Sequence, residues 1–270
     1  MAFDFHSVPL EQRCFQTKSG TCSYPVSDCF FGVPASDFFG FHPLESIPLD
    51  STGFHFYLGP KQLELFGSFL KSDYPDSTTS LHLGYSSFYR DPVGDFSPLT
   101  ELLMQTKFPK LETLKLGVFE LFQNSCEEYG VVGSVDLIAN VAPNLKRLHI
   151  YGKCSLSRPL ELPNLEHLWV VVDSQLTNDG ETLDQPTVHN FLASSLPSLK
   201  DLYVNLASSD DVSYEVPTVL FAGNALPNLT TFELTGTFRH GTGDRLSDSP
   251  CLQKSITLHV NDLVELPPGE

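Results

Sequence analysis

Leu162-Pro163-Asn164-Leu165-Glu166-His167-Leu168-Trp169-Val170 is one of five copies of a single phrase. The others are Phe108-Pro109-Lys110-Leu111-Glu112-Thr113-Leu114-Lys115-Leu116 and Ala142-Pro143-Asn144-Leu145-Lys146-Arg147-Leu148-His149-Ile150, then Leu196-Pro197-Ser198-Leu199-Lys200-Asp201-Leu202-Tyr203-Val204 and Leu226-Pro227-Asn228-Leu229-Thr230-Thr231-Phe232-Glu233-Leu234. The shared pattern is P-x-L-x-x-L-x-L, with other apolar residues accepted at the leucine places. The final anchors fall at 116, 150, 170, 204 and 234, so the spacings are 34, 20, 34 and 30 residues. Five copies of so specific a phrase identify the strand segment of a leucine-rich repeat.

Alternation along a strand puts both residues of L-x-L on one face. One strand cannot bury that face alone, but parallel neighbours stacked at ~4.8 Å share a continuous core. The proline two places ahead of the first leucine has no donor and restricts its predecessor, so it ends one element and starts the next. Weaker copies flank the five: Leu81-His82-Leu83, 33 residues before Leu116, and Ile256-Thr257-Leu258, 24 residues after Leu234. The spacers predict helices from Leu63, Phe66 and Leu70, from Leu99, Leu102 and Leu103, from Val135, Ile138 and Val141, and from Val188, Phe191 and Leu192. The spacer after Ile150 is too short for a helix and predicts a loop.

The expected fold class is an α/β solenoid. It is a leucine-rich-repeat horseshoe with a parallel concave sheet, irregular helices and loops on the convex side, and a phenylalanine-rich N-terminal cap. Residues 54–270 form the repeat domain. Residues 1–53 carry no repeat, but gather Phe30, Phe31, Phe38, Phe39 and Phe41. So many aromatics are expected to cover the first repeat, with a partner-docking segment or disorder as the other readings. Where the repeat usually has an asparagine, three residues past the last anchor, the chain has Phe119, Lys153, Asp173, Ala207 and Thr237. The turns must satisfy their backbone groups in another way.

The stretch Phe31-Gly32-Val33-Pro34-Ala35-Ser36-Asp37-Phe38 resembles the F-G-x-P-x-x-D-F opening of a family of bacterial, cytoplasmic leucine-rich-repeat proteins of unknown function. The order of repeats is similar too, including the short spacer ahead of the Leu165 repeat. The resemblance spans roughly residues 30–260 and is specific mainly at the strand phrases. It implies the fold, a cytoplasmic location and an interaction role, and it supplies no catalytic residues. This chain departs from the family by ending soon after its last weak repeat.

Composition narrows the function. The 270 residues carry 33 acidic and 16 basic groups, net −17. Residues 1–106 are net −7, residues 107–153 net +1 and residues 154–270 net −11. Such a field repels nucleic acid and anionic lipid and attracts basic surfaces; its simplest reading is solubility. No run reaches the ~18 apolar residues of a membrane span, and the start lacks a signal pattern. A soluble, cytoplasmic protein is expected. Cys14, Cys22, Cys29, Cys126, Cys154 and Cys251 are scattered without a C-x-x-C pair, so they are read as reduced, with no metal site. There is no G-x-x-x-x-G-K-[ST], G-x-G-x-x-G, H-E-x-x-H or G-x-S-x-G. His240-Gly241-Thr242-Gly243-Asp244 lacks the lysine of a phosphate cradle and a following helical pattern, and reads as a turn. Cys154 beside His149 and His167 reads as coincidence. No cofactor and no catalysis are expected.

The places between and beside the anchors should face away from the core. Their central column reads His82, Lys115, His149, Trp169, Tyr203 and Glu233. The column before it reads Ser80, Thr113, Arg147, His167, Asp201 and Thr231, and the one after it Gly84, Gly117, Tyr151, Val171, Asn205 and Thr235. Arg147, His149, Tyr151, His167, Trp169 and Tyr203 should therefore be neighbours. They are of the types that dominate interface hot spots, and Trp169 is the only tryptophan. The expected function is a protein-binding module, a recognition subunit or adaptor, with a partner that has a basic surface. The alternative is an acidic inhibitor or immunity protein that neutralises a basic, nucleic-acid-handling enzyme. The plainer reading is that these side chains only tile a sheet, or that Trp169 packs under a loop.

Overall fold

The computed structural model describes residues 15–16, 22–23, 35–38, 52–57, 62–84, 95–117, 130–172, 183–206, 213–221, 226–249, 257–259 and 264–266. The strands are β1 (Phe15–Gln16), β2 (Cys22–Ser23), β3 (Ala35–Phe38), β4 (Gly53–Tyr57), β5 (Ser80–Gly84), β6 (Thr113–Gly117), β7 (Val131–Ser134), β8 (Arg147–Tyr151), β9 (Lys153–Ser155), β10 (His167–Val172), β11 (Asp201–Leu206), β12 (Thr231–Thr235), β13 (Thr237–Arg239), β14 (Thr257–His259) and β15 (Val264–Leu266). The helices are α1 (Gln62–Leu70), α2 (Tyr74–Ser77), α3 (Ser97–Leu103), α4 (Ile138–Val141), α5 (Gln185–Leu192), α6 (Thr218–Phe221) and α7 (Thr242–Ser247). No helix among the described residues is long and apolar enough to cross a membrane.

Nine of the strands form one α/β sheet in the order β14-β12-β11-β10-β8-β6-β5-β4-β3. Every pairing in it is parallel. The five phrases sit side by side, and their first anchors Leu114, Leu148, Leu168, Leu202 and Phe232 are in register. The last anchors Leu116, Ile150, Val170, Val204 and Leu234 form the next row. All ten are at most 2% exposed and join one core cluster with Leu99, Leu103, Ile138, Val188, Phe191 and Leu220 of the helices. Parallel strands need crossover connections; from β4 to β14 helices supply them, except between β8 and β10, which are joined through β9.

Each phrase opens in a turn whose proline does more than end a helix. The amide of Leu111 donates to the Phe108 carbonyl, Leu145 to Ala142, Leu165 to Leu162, Leu199 to Leu196 and Leu229 to Leu226. The proline is thus the second residue of a four-residue turn, where its fixed φ is favoured. The residue after it ties repeats together. Asn144 donates to the Pro109 carbonyl at 2.7 Å, Ser198 to Pro163 at 2.6 Å and Asn228 to Pro197 at 2.7 Å. An amide and hydroxyl ladder therefore exists, at the entry of the strands and not past their ends.

Past the anchors, the main sheet hands the chain to a second layer through glycine. Gly152 has φ 126° between β8 and β9, and Gly236 has φ 142° between β12 and β13. A Cβ on Gly152 would stand 2.1 Å from the Gly130 carbonyl oxygen, so no side chain fits. The predicted loop after Ile150 instead contains β9, which pairs with β7, while β13 pairs with β15. Lys153, at one of the places that lack asparagine, donates its amide to Gly130 at 3.0 Å. Phe119, Asp173 and Ala207 lie outside the described residues.

The helices follow the apolar spacing with one correction. On α1 the buried pair is Phe66 and Phe69, while Leu63 is 46% exposed. Phe54, Phe56, Phe66 and Phe69 form an aromatic cluster with centroids 4.8–5.9 Å apart, which turns the helix toward the phenylalanines. The Val135 triplet yields only the single turn of α4. Helix α5 is capped by Asp184, whose carboxylate accepts from the Thr187 amide at 2.8 Å.

The sheet continues beyond the phrases. β4 and β3 add parallel strands on the N-terminal side, so pairing crosses the 53/54 line. The side chains of residues 1–51, including the clustered phenylalanines, lie outside the described residues. At the other edge Leu258 pairs with Phe232 and not with Leu234. The last weak copy is thus shifted by two residues from the sequence alignment. A shift of two keeps the same side chains on the same face, so the apolar pattern alone does not detect it.

Candidate interaction surface

The face opposite the core is set by the same alternation. Register brings Arg147, His167, Asp201 and Thr231 into one row, and Lys115, His149, Trp169, Tyr203 and Glu233 into the next. The side chains do not share one exposure. Ser80, His82, Thr113 and Lys115 are buried, at most 6% exposed. His82 Nε2 lies 3.5 Å from the Gly117 carbonyl oxygen. The expectation that this whole column faces solvent is therefore corrected, because alternation fixes the side a residue points to and not whether that side is covered. From Arg147 onward the face opens: Arg147 is exposed, and His167, Trp169, Asp201, Tyr203 and Glu233 are half-buried.

The opened part is organised around an aromatic stack. The rings of His149 and Trp169 lie 4.7 Å apart and 7° from parallel. Tyr203 follows at 5.5 Å from Trp169, tilted by 40°. Parallel pairing at strand spacing places these rings in contact, and offset aromatic pairs add stability beyond their area. Trp169 and Tyr203 also pack against the core cluster, so the stack is anchored from beneath.

Two expected members have a different role. Tyr151 is 1% exposed, its ring 6.3 Å from His149 and edge-on at 71°. It packs edge-on beside His149 and offers no surface, which corrects the expectation that it belongs to the exposed group. His149 is itself largely enclosed. Its Nδ1 is buried without a hydrogen-bond partner among the described residues. Burial, followed by the charge of Lys115 and smaller effects of His167, His82 and Arg147, pulls its pKa down to about 2. The imidazole is neutral at ordinary pH and acts as a stacking plate. Of the six residues, Arg147, His167, Trp169 and Tyr203 remain as the accessible group.

Charged pairs border the stack. His167 Nδ1 donates to Asp201 Oδ2 at 2.6 Å, which fixes the ring across two strands. One place ahead, Glu112, Lys146, Glu166 and Lys200 alternate in sign on successive strands. Lys146 meets Glu112 at 2.7 Å and Lys200 meets Glu166 at 2.7 Å. The Lys200 hydrogen bond holds the Glu166 carboxyl below its usual range. Glu112, Lys146 and Glu166 of this ladder line a shallow groove of about 520 Å³ with Asn144 and Asn164. Sequence reasoning missed the ladder, although the residue after the first leucine of the first four phrases already reads Glu, Lys, Glu, Lys.

Elsewhere, the Cys154 thiol is buried and pushed up to about 12 by that burial and by Asp184, which leaves it protonated and unreactive. The expectation that no helix follows His240–Gly241 is corrected: α7 begins at Thr242 after the left-handed Gly241, and the Thr242 hydroxyl donates to the Arg239 carbonyl at 2.6 Å.

No family model matches the chain, and no curated protein matches it. Among solved structures, the chain is similar to a Bacteroides fragilis protein determined as a structural-genomics target, with 19% identity and a TM-score of 0.49. The likeness covers 77% of this chain and 59% of that one, so this chain spans well under two thirds of that protein's length.

Proposed function

We propose that the chain is a leucine-rich-repeat solenoid that binds a partner protein on the concave face of its sheet and performs no catalysis. The observation that carries this reading is the His149–Trp169–Tyr203 stack, held on the sheet face opposite the core. Large aromatic surface supplied at low conformational cost, bordered by Arg147 and the His167–Asp201 pair, is the composition of an interface hot spot. Membership of the bacterial, cytoplasmic family that the strand phrases resemble belongs to the same proposal. The net charge of −17 favours a partner with a basic surface.

Trp169→Ala is expected to weaken partner binding by about 2 kcal/mol or more, on hot-spot precedent, with the fold retained. Affinity purification from the source cells with the wild-type chain and this variant, quantified by mass spectrometry, tests it. A partner recovered equally by both would end the proposal. Phe221→Ser is the control. Phe221 packs against the core with Arg245 4.1 Å over its ring, so its loss should reduce stability and leave recognition intact.

A further inference from the structure

The sign of charge changes across the sheet face. Arg147 stands exposed on the β8 side of the stack. On the other side, the outward places of β10, β11 and β12 hold no lysine or arginine at all: they read His167, Trp169, Val171, Asp201, Tyr203, Asn205, Thr231, Glu233 and Thr235. The Asp201 carboxylate is taken by His167. Glu233 is half-buried, and its carboxylate has no ion pair or side-chain hydrogen bond among the described residues. It is paired in register with Tyr203, so the two side chains rise side by side about 5 Å apart at their bases. His149 covers one side of the Trp169 indole and Tyr203 the other. Beyond Tyr203 the row continues to Glu233 on β12 and, on β14, to His259, which is in register with Glu233. The Asn205 amide, 3.5 Å from the Tyr203 hydroxyl, lies along the same edge.

We propose that Tyr203 and Glu233 seat a basic side chain, arginine in preference to lysine, from an extended segment of the partner protein. An aromatic ring attracts a cation to its face, and the adjacent carboxylate accepts hydrogen bonds from it. A guanidinium is planar, so it can stack on the phenol ring and present two N–H groups to the carboxylate, which an ammonium cannot do. Residues 154–270, with 16 acidic and 5 basic groups, draw a basic segment toward this end of the face. The exposed Arg147 at the other end repels it there, so the segment is oriented along the row. This inference rests on the interaction reading and adds the chemistry of the partner's anchor.

Trp169 is the only tryptophan, so its fluorescence reports on the seat directly. The experiment titrates the full chain with an alternating Gly-Arg octapeptide, its Gly-Lys counterpart and its Gly-Glu counterpart. The Gly-Arg peptide should give a saturable change, the Gly-Lys peptide a weaker one and the Gly-Glu peptide none. Glu233→Gln should weaken the Gly-Arg peptide roughly fivefold or more, as expected for loss of a charge-assisted contact. Glu161→Gln, which removes an equal charge from an exposed site away from the row, should leave it unchanged. Equal weakening by both variants would show that overall charge alone binds the peptide, and would overturn the seat. So would the absence of any saturable change. If the peptide fails while Trp169→Ala still abolishes recovery of the native partner, the seat is wrong and the interaction face stands. If both fail, the face is wrong as well.

Discussion

Leu148→Asp is expected to unfold the protein or to cost about 4 kcal/mol or more, the penalty of an unpaired charge in a core. Leu148 is completely buried and lies in register between Leu114 and Leu168, at the centre of the anchor row. No basic side chain is available among these leucines to neutralise the carboxylate. The proper control is Arg147→Asp, one residue earlier on the same strand, because Arg147 is exposed. The neighbour on the other side, His149, is unsuitable, since the structure encloses it. Urea denaturation of the two variants measures the contrast. Similar midpoints would show that the assignment of faces on β8 is wrong.

The second large effect is on acid stability. His149 has a folded pKa of about 2 against an ordinary value of 6.5. Below pH 6.5 the unfolded chain takes up a proton at this site that the folded chain refuses. Stability from this group is therefore complete above pH 6.5 and is lost as pH falls toward the folded value. The slope is about 1.4 kcal/mol per pH unit, or about 3 kcal/mol between pH 6.5 and pH 4. Carboxylates add their own acid dependence, so the measurement is a difference. His149→Phe keeps a ring against Trp169 and removes the proton site. Urea unfolding of both proteins at stepped pH should show a slope lower by about one proton in the variant. Identical slopes would mean that His149 is hydrated and titrates normally.

The strand phrases were legible because parallel alternation leaves a direct mark on the sequence: L-x-L places both anchors inward, and the preceding proline marks the turn. The same logic was insufficient at the edges. Phe54 and Phe56 of β4 carry the alternation without the leading proline and leucine, so a search keyed to the phrase passes over them. The Leu258 strand slipped by two places, which alternation does not resolve.

For the site, the rows were readable and the exposures were not. Arg147, His149, His167, Trp169 and Tyr203 stand together as their phrase positions require. That Lys115 and Tyr151 are buried depends on contacts distant in sequence, which local periodicity does not encode. The Glu–Lys ladder is hidden for another reason: it stands at the place just before each strand, outside the columns that alternation assigns to the outer face.

The central claim is that the sheet face around Trp169 is covered by a protein partner. The most direct measurement is acrylamide quenching of Trp169 fluorescence with and without the purified co-isolated partner, chosen or mutated to lack tryptophan. Binding should reduce quenching and shift the emission to the blue, because a half-exposed indole becomes enclosed. Emission and quenching that do not change while the complex is shown to form would place the interface elsewhere on the molecule and contradict the account.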